Sequence, residues 1–396
     1  MHLSDLTVRI AGEGTDAWIV HDLAVERLAR GEEIFLLSIG DPDFDTPAVI
    51  REAAARALAA GRTHYAPIGG EAPLREAIAA HEGRVLGAPV DPAQVVVFPG
   101  AQAALYACAQ VLVNPGDEVI ALDPAYVTYE PVFQAPGGRL VTVPLRPENR
   151  FHAEADAIAR AITPRTRGII LNFPHNPTGA GLTQPEAAAI AALCRQHDLW
   201  CISDEVYASL GYGEPHVSIL AEPGMRERGI LVSSLSKSHA MTGWRCGWAV
   251  VPPALLTPLD HVARAMFFGV AQFIQDAAAV ALAEGGAELE AIRASYQRRA
   301  RVLVDTLSRA PGLRVRMPDA GMYLFADVRG TGLDGKQFAR GLLDAQGVAV
   351  TPGEGFGPSG AGHVRITLGV DEGRLAEAGR RIVQYARALV PAGAGA

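Results

Sequence analysis

Ser233-Ser234-Leu235-Ser236-Lys237-Ser238-His239-Ala240-Met241-Thr242-Gly243-Trp244-Arg245 follows an apolar run, 230–233, with the composition of a buried strand. The segment holds one amine, several hydroxyls and a guanidinium within a short span. The amine is rare in this chain. Of 35 basic residues only two are lysines, Lys237 and Lys336. A surface cation can be either basic residue, but arginine stays charged and cannot replace lysine where a neutral amine must attack a carbonyl. Lys336, in Gly335-Lys336-Gln337-Phe338, reads as a solvated position at a helix start. Lys237 is therefore the candidate nucleophile. Attack on an aldehyde cofactor needs a partly desolvated or cation-rich site that favours the neutral amine. The hydroxyls and Arg245 would suit a phosphate. Taken alone, the segment reads equally well as a Ser-rich loop ending in a helix cap.

Outward from this segment, short β-rich runs at 94–98, 118–122, 139–143, 168–172, 199–203, 230–233 and 247–251 alternate with Ala/Leu-rich helical stretches such as 184–197. Strands separated by helices predict an α/β fold whose mostly parallel, seven-stranded sheet is covered on both faces. In such sheets the ligand crevice lies beyond the carboxyl ends of the strands. From about 290 the pattern changes to a polar helix at 288–308, spaced strands at 313–317, 322–327, 348–351 and 363–367, and a closing helix at 372–389. This reads as a smaller α+β domain. The expected division is an N-terminal arm, 1–46, packing with the small domain, a large domain at 47–287 and a small domain at 288–396, with the tail 391–396 frayed.

Thirty-five basic against 43 acidic residues give a net charge of −8 and a pI near 5.8, so a nucleic acid is not the expected partner. No apolar run reaches the ~18 residues of a membrane span, and the N-terminus has no secretory pattern. Four cysteines without CxxC spacing point to a reduced, cytoplasmic setting. The histidines show no metal-ligand spacing, and no metal is expected. Gly355-Phe356-Gly357-Pro358-Ser359-Gly360 satisfies GxGxxG. It precedes a strand, however, where a dinucleotide fingerprint must link a strand to a helix. It reads as a hinge loop near the substrate. His239, close to Lys237, reads as packing beside the site.

Two further stretches each follow a predicted strand: Asn172-Phe173-Pro174-His175-Asn176-Pro177-Thr178-Gly179 and Ser203-Asp204-Glu205-Val206-Tyr207. With the lysine segment, with Ser38-Ile39-Gly40-Asp41-Pro42-Asp43-Phe44 near one end and with His363-Val364-Arg365-Ile366-Thr367 near the other, they resemble class I aminotransferases of the fold-type-I pyridoxal-phosphate family. The resemblance spans almost the whole chain. It implies pyridoxal 5'-phosphate as cofactor, held covalently by Lys237, which also carries the proton of the substrate α-carbon. Asp204 would pair with the ring nitrogen, keeping the ring an electron sink. Asn176 and Tyr207 would bond the ring oxygen, and Tyr126 would stack on the ring. Ala101, Gln102, Ser234, Ser236 and Arg245 would hold the phosphate, with Tyr65 reaching over from a partner subunit of a homodimer. Gln102 stands where the family often has Ser or Thr. Arg365, with the backbone of Gly40 and with Asn176, would hold the substrate carboxylate.

The implied reaction moves the α-amino group of an L-amino acid to a 2-oxo acid. No Lys or Arg lies between Gly100 and Gly138, which counts against aspartate as the preferred donor. Glu13, Asp16 and Trp18 lie on the arm that the resemblance puts near the substrate side chain and would suit a flat basic group; taken alone, they read as a solvated polar arm. Ser4-Asp5-Leu6-Thr7, Arg9-Ile10-Ala11-Gly12, Gly31-Glu32-Glu33-Ile34 and His197-Asp198-Leu199-Trp200 look most like the members that use arginine with pyruvate. Arginine or another long or basic amino acid is the expected donor. Aspartate, aromatic or broad-specificity transfer and β-elimination on the same fold are the alternatives. A regulator with an aminotransferase-like domain would need a DNA-binding domain, and only about forty residues precede Gly40.

Overall fold

The structure, a computed structural model, describes residues 1–11 and 18–390. Glu13, Asp16 and the tail 391–396 lie outside the described residues. A short strand, β1 (Phe35–Leu36), precedes the seven strands of the main sheet. These are β2 (Val95–Phe98), β3 (Glu118–Asp123), β4 (Arg139–Pro144), β5 (Thr166–Asn172), β6 (Trp200–Asp204), β7 (Gly229–Ser234) and β8 (Gly247–Val250). Their order is β2-β8-β7-β6-β5-β3-β4. All pairings are parallel except those of β8, which runs antiparallel to both neighbours.

Strand periodicity explains why the middles of most of these runs are apolar at every position; the edge strand β4, partly exposed, keeps Arg139 and Thr142. Successive side chains point to opposite faces. Val95 and Val97 join one buried cluster with Ile120, Ile169 and Leu231. Val96 and Phe98 join another, with Val119, Ile170, Ile202 and Val232. Helices cover both faces, so neither set can be polar. Helix Ala101–Leu112 approaches closely because it turns Ala104, Ala107 and Cys108 inward. Helix Gln184–Gln196 starts where Thr183 and Glu186 form a reciprocal capping box.

The C-terminal part carries β9 (Tyr323–Asp327), β10 (Val348–Ala349), β11 (Thr351–Pro352) and β12 (His363–Thr367). β11, β12 and β9 form an antiparallel sheet, while β10 pairs in parallel with β1. One apolar cluster joins Val20, Ala24, Ile34 and Phe35 to Ile292, Leu303, Phe338, Leu342, Leu375 and Ile382. The closing helix, Glu372–Leu389, buries Leu375, Ala378, Ile382 and Ala386, a stripe at the spacing of an amphipathic helix. Lys336 lies in the first turn of helix Gly335–Gln346, whose Asp334 and Gln337 form a second capping box.

Two expectations for this part need correction. Residues 313–317 form no strand; only an isolated antiparallel bridge joins Arg314 to Asp327. Pro318 follows at once and has no N–H to extend the ladder. The run 348–351 is not one strand but two, each with a different partner.

Candidate active site

The carboxyl ends of β2, β3, β5, β6 and β7 lie along one edge of the main sheet. A cavity of about 170 Å³ there is lined by Ala101, Gln102, Tyr126, Asn176, Asp204, Tyr207, Ser234, Ser236, Lys237 and Arg245, with Asn172 and Thr242 beside them. Residues more than a hundred positions apart are brought together by the parallel strands that end there. Lys237 donates from Nζ to the Gly40 carbonyl oxygen at 2.5 Å. That ties the N-terminal Gly40 turn to the loop after β7.

Asp204 is the last residue of β6 and is 4% exposed. The Tyr129 hydroxyl donates to its Oδ2 at 2.7 Å, and the Val206 N–H approaches Oδ1 at 3.4 Å. Among the described residues no cation forms an ion pair with it. Burial therefore pushes its carboxyl up to about 6, against the pull of the two hydrogen bonds. A buried acid of this kind is suited to a protonated ring nitrogen that enters the cavity. Asn172 supports the arrangement from the neighbouring strand. Its Nδ2 donates to the Asp204 carbonyl at 3.1 Å and its Oδ1 accepts from the Asn176 N–H at 2.9 Å.

The phosphate-binding candidates converge at one end. Helix Ala101–Leu112 begins at the cavity, so the N–H groups of Ala101 and Gln102, which have no acceptor within the helix, stand beside Ser234, Ser236 and Arg245. The packing leaves no room for bulk. A Cβ on Gly100, where φ is +90°, would lie 2.4 Å from Arg245 Nη2. Arg245 itself holds a left-handed conformation with φ at +53° and donates from Nη1 to the Thr242 carbonyl at 2.8 Å. The Gln102 side chain is engaged, its Oε1 accepting from the Thr128 hydroxyl at 2.9 Å. These residues fit pyridoxal phosphate: an amine for the aldehyde, an acid for the ring nitrogen and a donor cluster for the phosphate.

Arg365, on β12, is 5% exposed. It donates from Nη1 to Asn176 Oδ1 and from Nη2 to the Ser38 carbonyl, both at 3.0 Å. Its Cζ sits 4.3 Å from the Tyr323 ring centre and 4.8 Å from that of Phe356. Its Nε is buried without a partner, and no carboxylate among the described residues pairs with it. A buried guanidinium left in this state is suited to a carboxylate from a substrate.

Tyr65 stands apart from the cavity. It is 83% exposed and packs edge-on against Phe268. His239 is buried, hydrogen-bonded through Nδ1 to Ser238 Oγ at 2.8 Å, and burial depresses its pKa to about 4. Trp18 packs edge-on against His21.

Two participants escaped the sequence reading, Tyr129 and Tyr323, and Asn172, quoted there within its motif, was given no role. Tyr129 follows Tyr126 by three residues, across the turn that opens helix Tyr129–Gln134, the one local hint available. Tyr323 packs under Arg365 and hydrogen-bonds Tyr207 hydroxyl to hydroxyl at 3.1 Å, and it explains a glycine. A Cβ on Gly40 would lie 1.8 Å from the Tyr323 hydroxyl oxygen. Gly40→Ala is expected to displace that ring and lower kcat/KM ~10–10²-fold, the cost of a misplacement near 1 Å. Steady-state kinetics with the cofactor spectrum as control would check this.

Comparison with known proteins agrees with the geometry. A family model described as aminotransferase class I and II matches residues 32–382. The chain is 53% identical over 390 residues to the arginine–pyruvate transaminase of Pseudomonas aeruginosa, covering 98% of this chain and 99% of that one. It is 36% identical to an aspartate aminotransferase of Pyrococcus horikoshii, covering 90% and 92%. Among solved structures, Thermus thermophilus aspartate aminotransferase with maleate matches with a TM-score of 0.92 at 35% identity, covering 97% of this chain and 100% of that one. Fold and cavity together define an enzyme that works through pyridoxal phosphate. The chain belongs to the class I and II aminotransferases.

Proposed function

We propose that this aminotransferase takes the α-amino group from L-arginine, or another long basic amino acid, and gives it to pyruvate. The observation that carries the choice of donor is the 53% identity, over nearly the full length of both chains, to a protein named for that reaction. The cation-free stretch 101–138 supports it against an acidic donor. When bound, pyridoxal phosphate supplies an aldehyde that captures amines covalently and a ring that withdraws electrons from the bond being broken. The chain's residues do the rest. Lys237 anchors the cofactor, then takes the proton from the substrate α-carbon. Asp204 keeps the ring nitrogen protonated, with Tyr129 fixing its carboxylate. Asn176 and Tyr207 bond the ring oxygen, and Tyr126 covers the ring face. Ala101, Gln102, Ser234, Ser236 and Arg245 hold the phosphate. Arg365 orients the substrate carboxylate, with Gly40 and Asn176 beside it, so that the α-carbon faces the amine.

The architecture behind this reading is an arm at 1–46, a large domain at 47–287 and a small domain at 288–396. Exposed Tyr65 and half-exposed Phe268 support a homodimer in which Tyr65 completes the neighbouring phosphate site. Among the described residues no helix is long and apolar enough to cross a membrane. The four buried, unpaired cysteines favour the reducing cytoplasm.

A panel of amino donors with pyruvate tests the specificity. Arginine should have the highest kcat/KM. Turnover of arginine no better than that of alanine or aspartate would overturn the choice of donor. Pyruvate and ammonia released from cysteine derivatives without an acceptor would mark a lyase instead.

A further inference from the structure

The GxGxxG stretch is absorbed by neither cofactor nor substrate, yet it is packed as tightly as the site. Asp123, the last residue of β3, is 3% exposed. Its Oδ2 accepts from the Ser359 N–H at 2.8 Å. Its Oδ1 is buried with no partner, and among the described residues no cation pairs with it. The same oxygen occupies the space a side chain at position 357 would need. A Cβ on Gly357, where φ is +118°, would lie 1.8 Å from it. Two residues further along the β3 loop, the Ala125 N–H donates to the Phe356 carbonyl at 2.6 Å. The loop that precedes Tyr126 is thus fastened to the loop that carries Phe356.

Phe356 is buried against the Arg365 guanidinium, 4.8 Å from its Cζ. The same loop continues from Thr351, whose Oγ1 lies 3.4 Å from Arg365 Nη2 and whose hydroxyl donates to the Ser38 carbonyl at 2.8 Å. A buried acid with one unmatched oxygen is costly to the fold. A small neutral residue would be easier to bury, so the carboxylate points to a role beyond stability.

We propose that Asp123 is a positioning residue: it latches the Gly355–Gly360 loop to the end of β3 and thereby holds Phe356 and Arg365 in the geometry that grips the substrate carboxylate. This rests on the reading of Arg365 as the seat of that carboxylate. The latch acts on substrate affinity, for donor and acceptor alike, because both present a carboxylate to Arg365. It does not touch the cofactor.

The test uses the holoenzyme of Asp123→Ala, with Asp123→Asn as the conservative variant. Asn keeps a carbonyl that can accept the Ser359 N–H. Ser359→Pro, which removes both the donor N–H and the hydroxyl of that residue, approaches the same contact from its other side and serves if Asp123→Ala does not fold. Asp123→Ala and Ser359→Pro should raise KM for donor and pyruvate about tenfold, the scale of one charge-assisted hydrogen bond. Their kcat should change less than about threefold, and the visible absorbance should not change. The inhibition constant of propionate, pyruvate without its oxo group, should rise in step. Hydrogen exchange of the 355–361 amides should accelerate in Asp123→Ala and stay near wild type in Asp123→Asn. Unchanged KM in a folded Asp123→Ala overturns the latch, as does unchanged exchange or a lost cofactor spectrum. Arg365→Lys separates the two readings. If it leaves KM unchanged, the carboxylate seat is elsewhere and the latch falls with it; if it raises KM while Asp123→Ala does not, the latch alone fails.

Discussion

Lys237→Ala is expected to yield a folded protein with no transaminase activity and without the visible absorbance of lysine-bound cofactor. Losing a positioned proton carrier costs up to ~10⁴-fold in rate, and here the same side chain is also the covalent anchor. Lys237→Arg is the informative companion. It keeps a cation within reach of the Gly40 carbonyl, which now accepts from Lys237 Nζ, but the guanidinium cannot become a neutral nucleophile. Both variants should therefore be inactive. Borohydride reduction followed by peptide mass mapping should tag position 237 in the wild type and no other residue. A tag elsewhere, or activity in either variant, would refute the assigned role.

Asp204→Asn separates catalysis from stability, because the two should move in opposite directions. Turnover should fall ~10²–10³-fold, the scale of removing one preorganised electrostatic partner. The cofactor-free protein should become more stable near neutral pH. Burial raises the folded-state carboxyl from its ordinary value of 3.8 to about 6, so the folded state binds more protons than the unfolded one between those values. Stability then falls as pH rises through that window, and the cost is complete above about pH 6. A shift of this size corresponds to roughly 3 kcal/mol, which the neutral amide avoids. Thermal denaturation of the two cofactor-free proteins should coincide near pH 3.5 and diverge by pH 7. Unchanged turnover would place the ring nitrogen elsewhere. Equal stability at pH 7 would mean that the wild-type carboxylate finds a counter-charge without the cofactor.

The main sheet was legible because nearly all its strands are covered on both faces, the edge strand β4 excepted. Runs such as Val95-Val96-Val97-Phe98 have to be apolar at every position, and their alternation with helices leaves little freedom in fold class. The C-terminal part was less legible. Val348-Ala349-Val350-Thr351 reads as one strand, but the chain changes partners within it, from Phe35–Leu36 to Arg365 and Val364. Nothing in a local run announces which strand lies across from it. Residues 313–317 carry spaced apolar residues without a partner to make a ladder.

Composition narrowed the candidate amine to two lysines, since arginine cannot serve as a neutral nucleophile, and the motifs around it singled out Lys237. Asp204, Asn176 and Arg365 could be placed because they sit in ordered motifs that carry the family resemblance. Tyr129 on Asp204, Tyr323 under Arg365 and the Asp123 carboxylate beside Gly357 had no comparable signal. Their partners lie 75, 42 and 234 residues away, and the residue types are unremarkable in their own neighbourhoods. Periodicity thus decided the fold class and residue chemistry made Lys237 the candidate, while the roles of its companions came from the family resemblance carried by ordered motifs. Which groups support that site, and why Gly40 and Gly357 can bear no side chain, was decided only when the strands brought distant segments within contact, since hydrogen bonding and steric exclusion act over a few ångströms of space, however long the chain between.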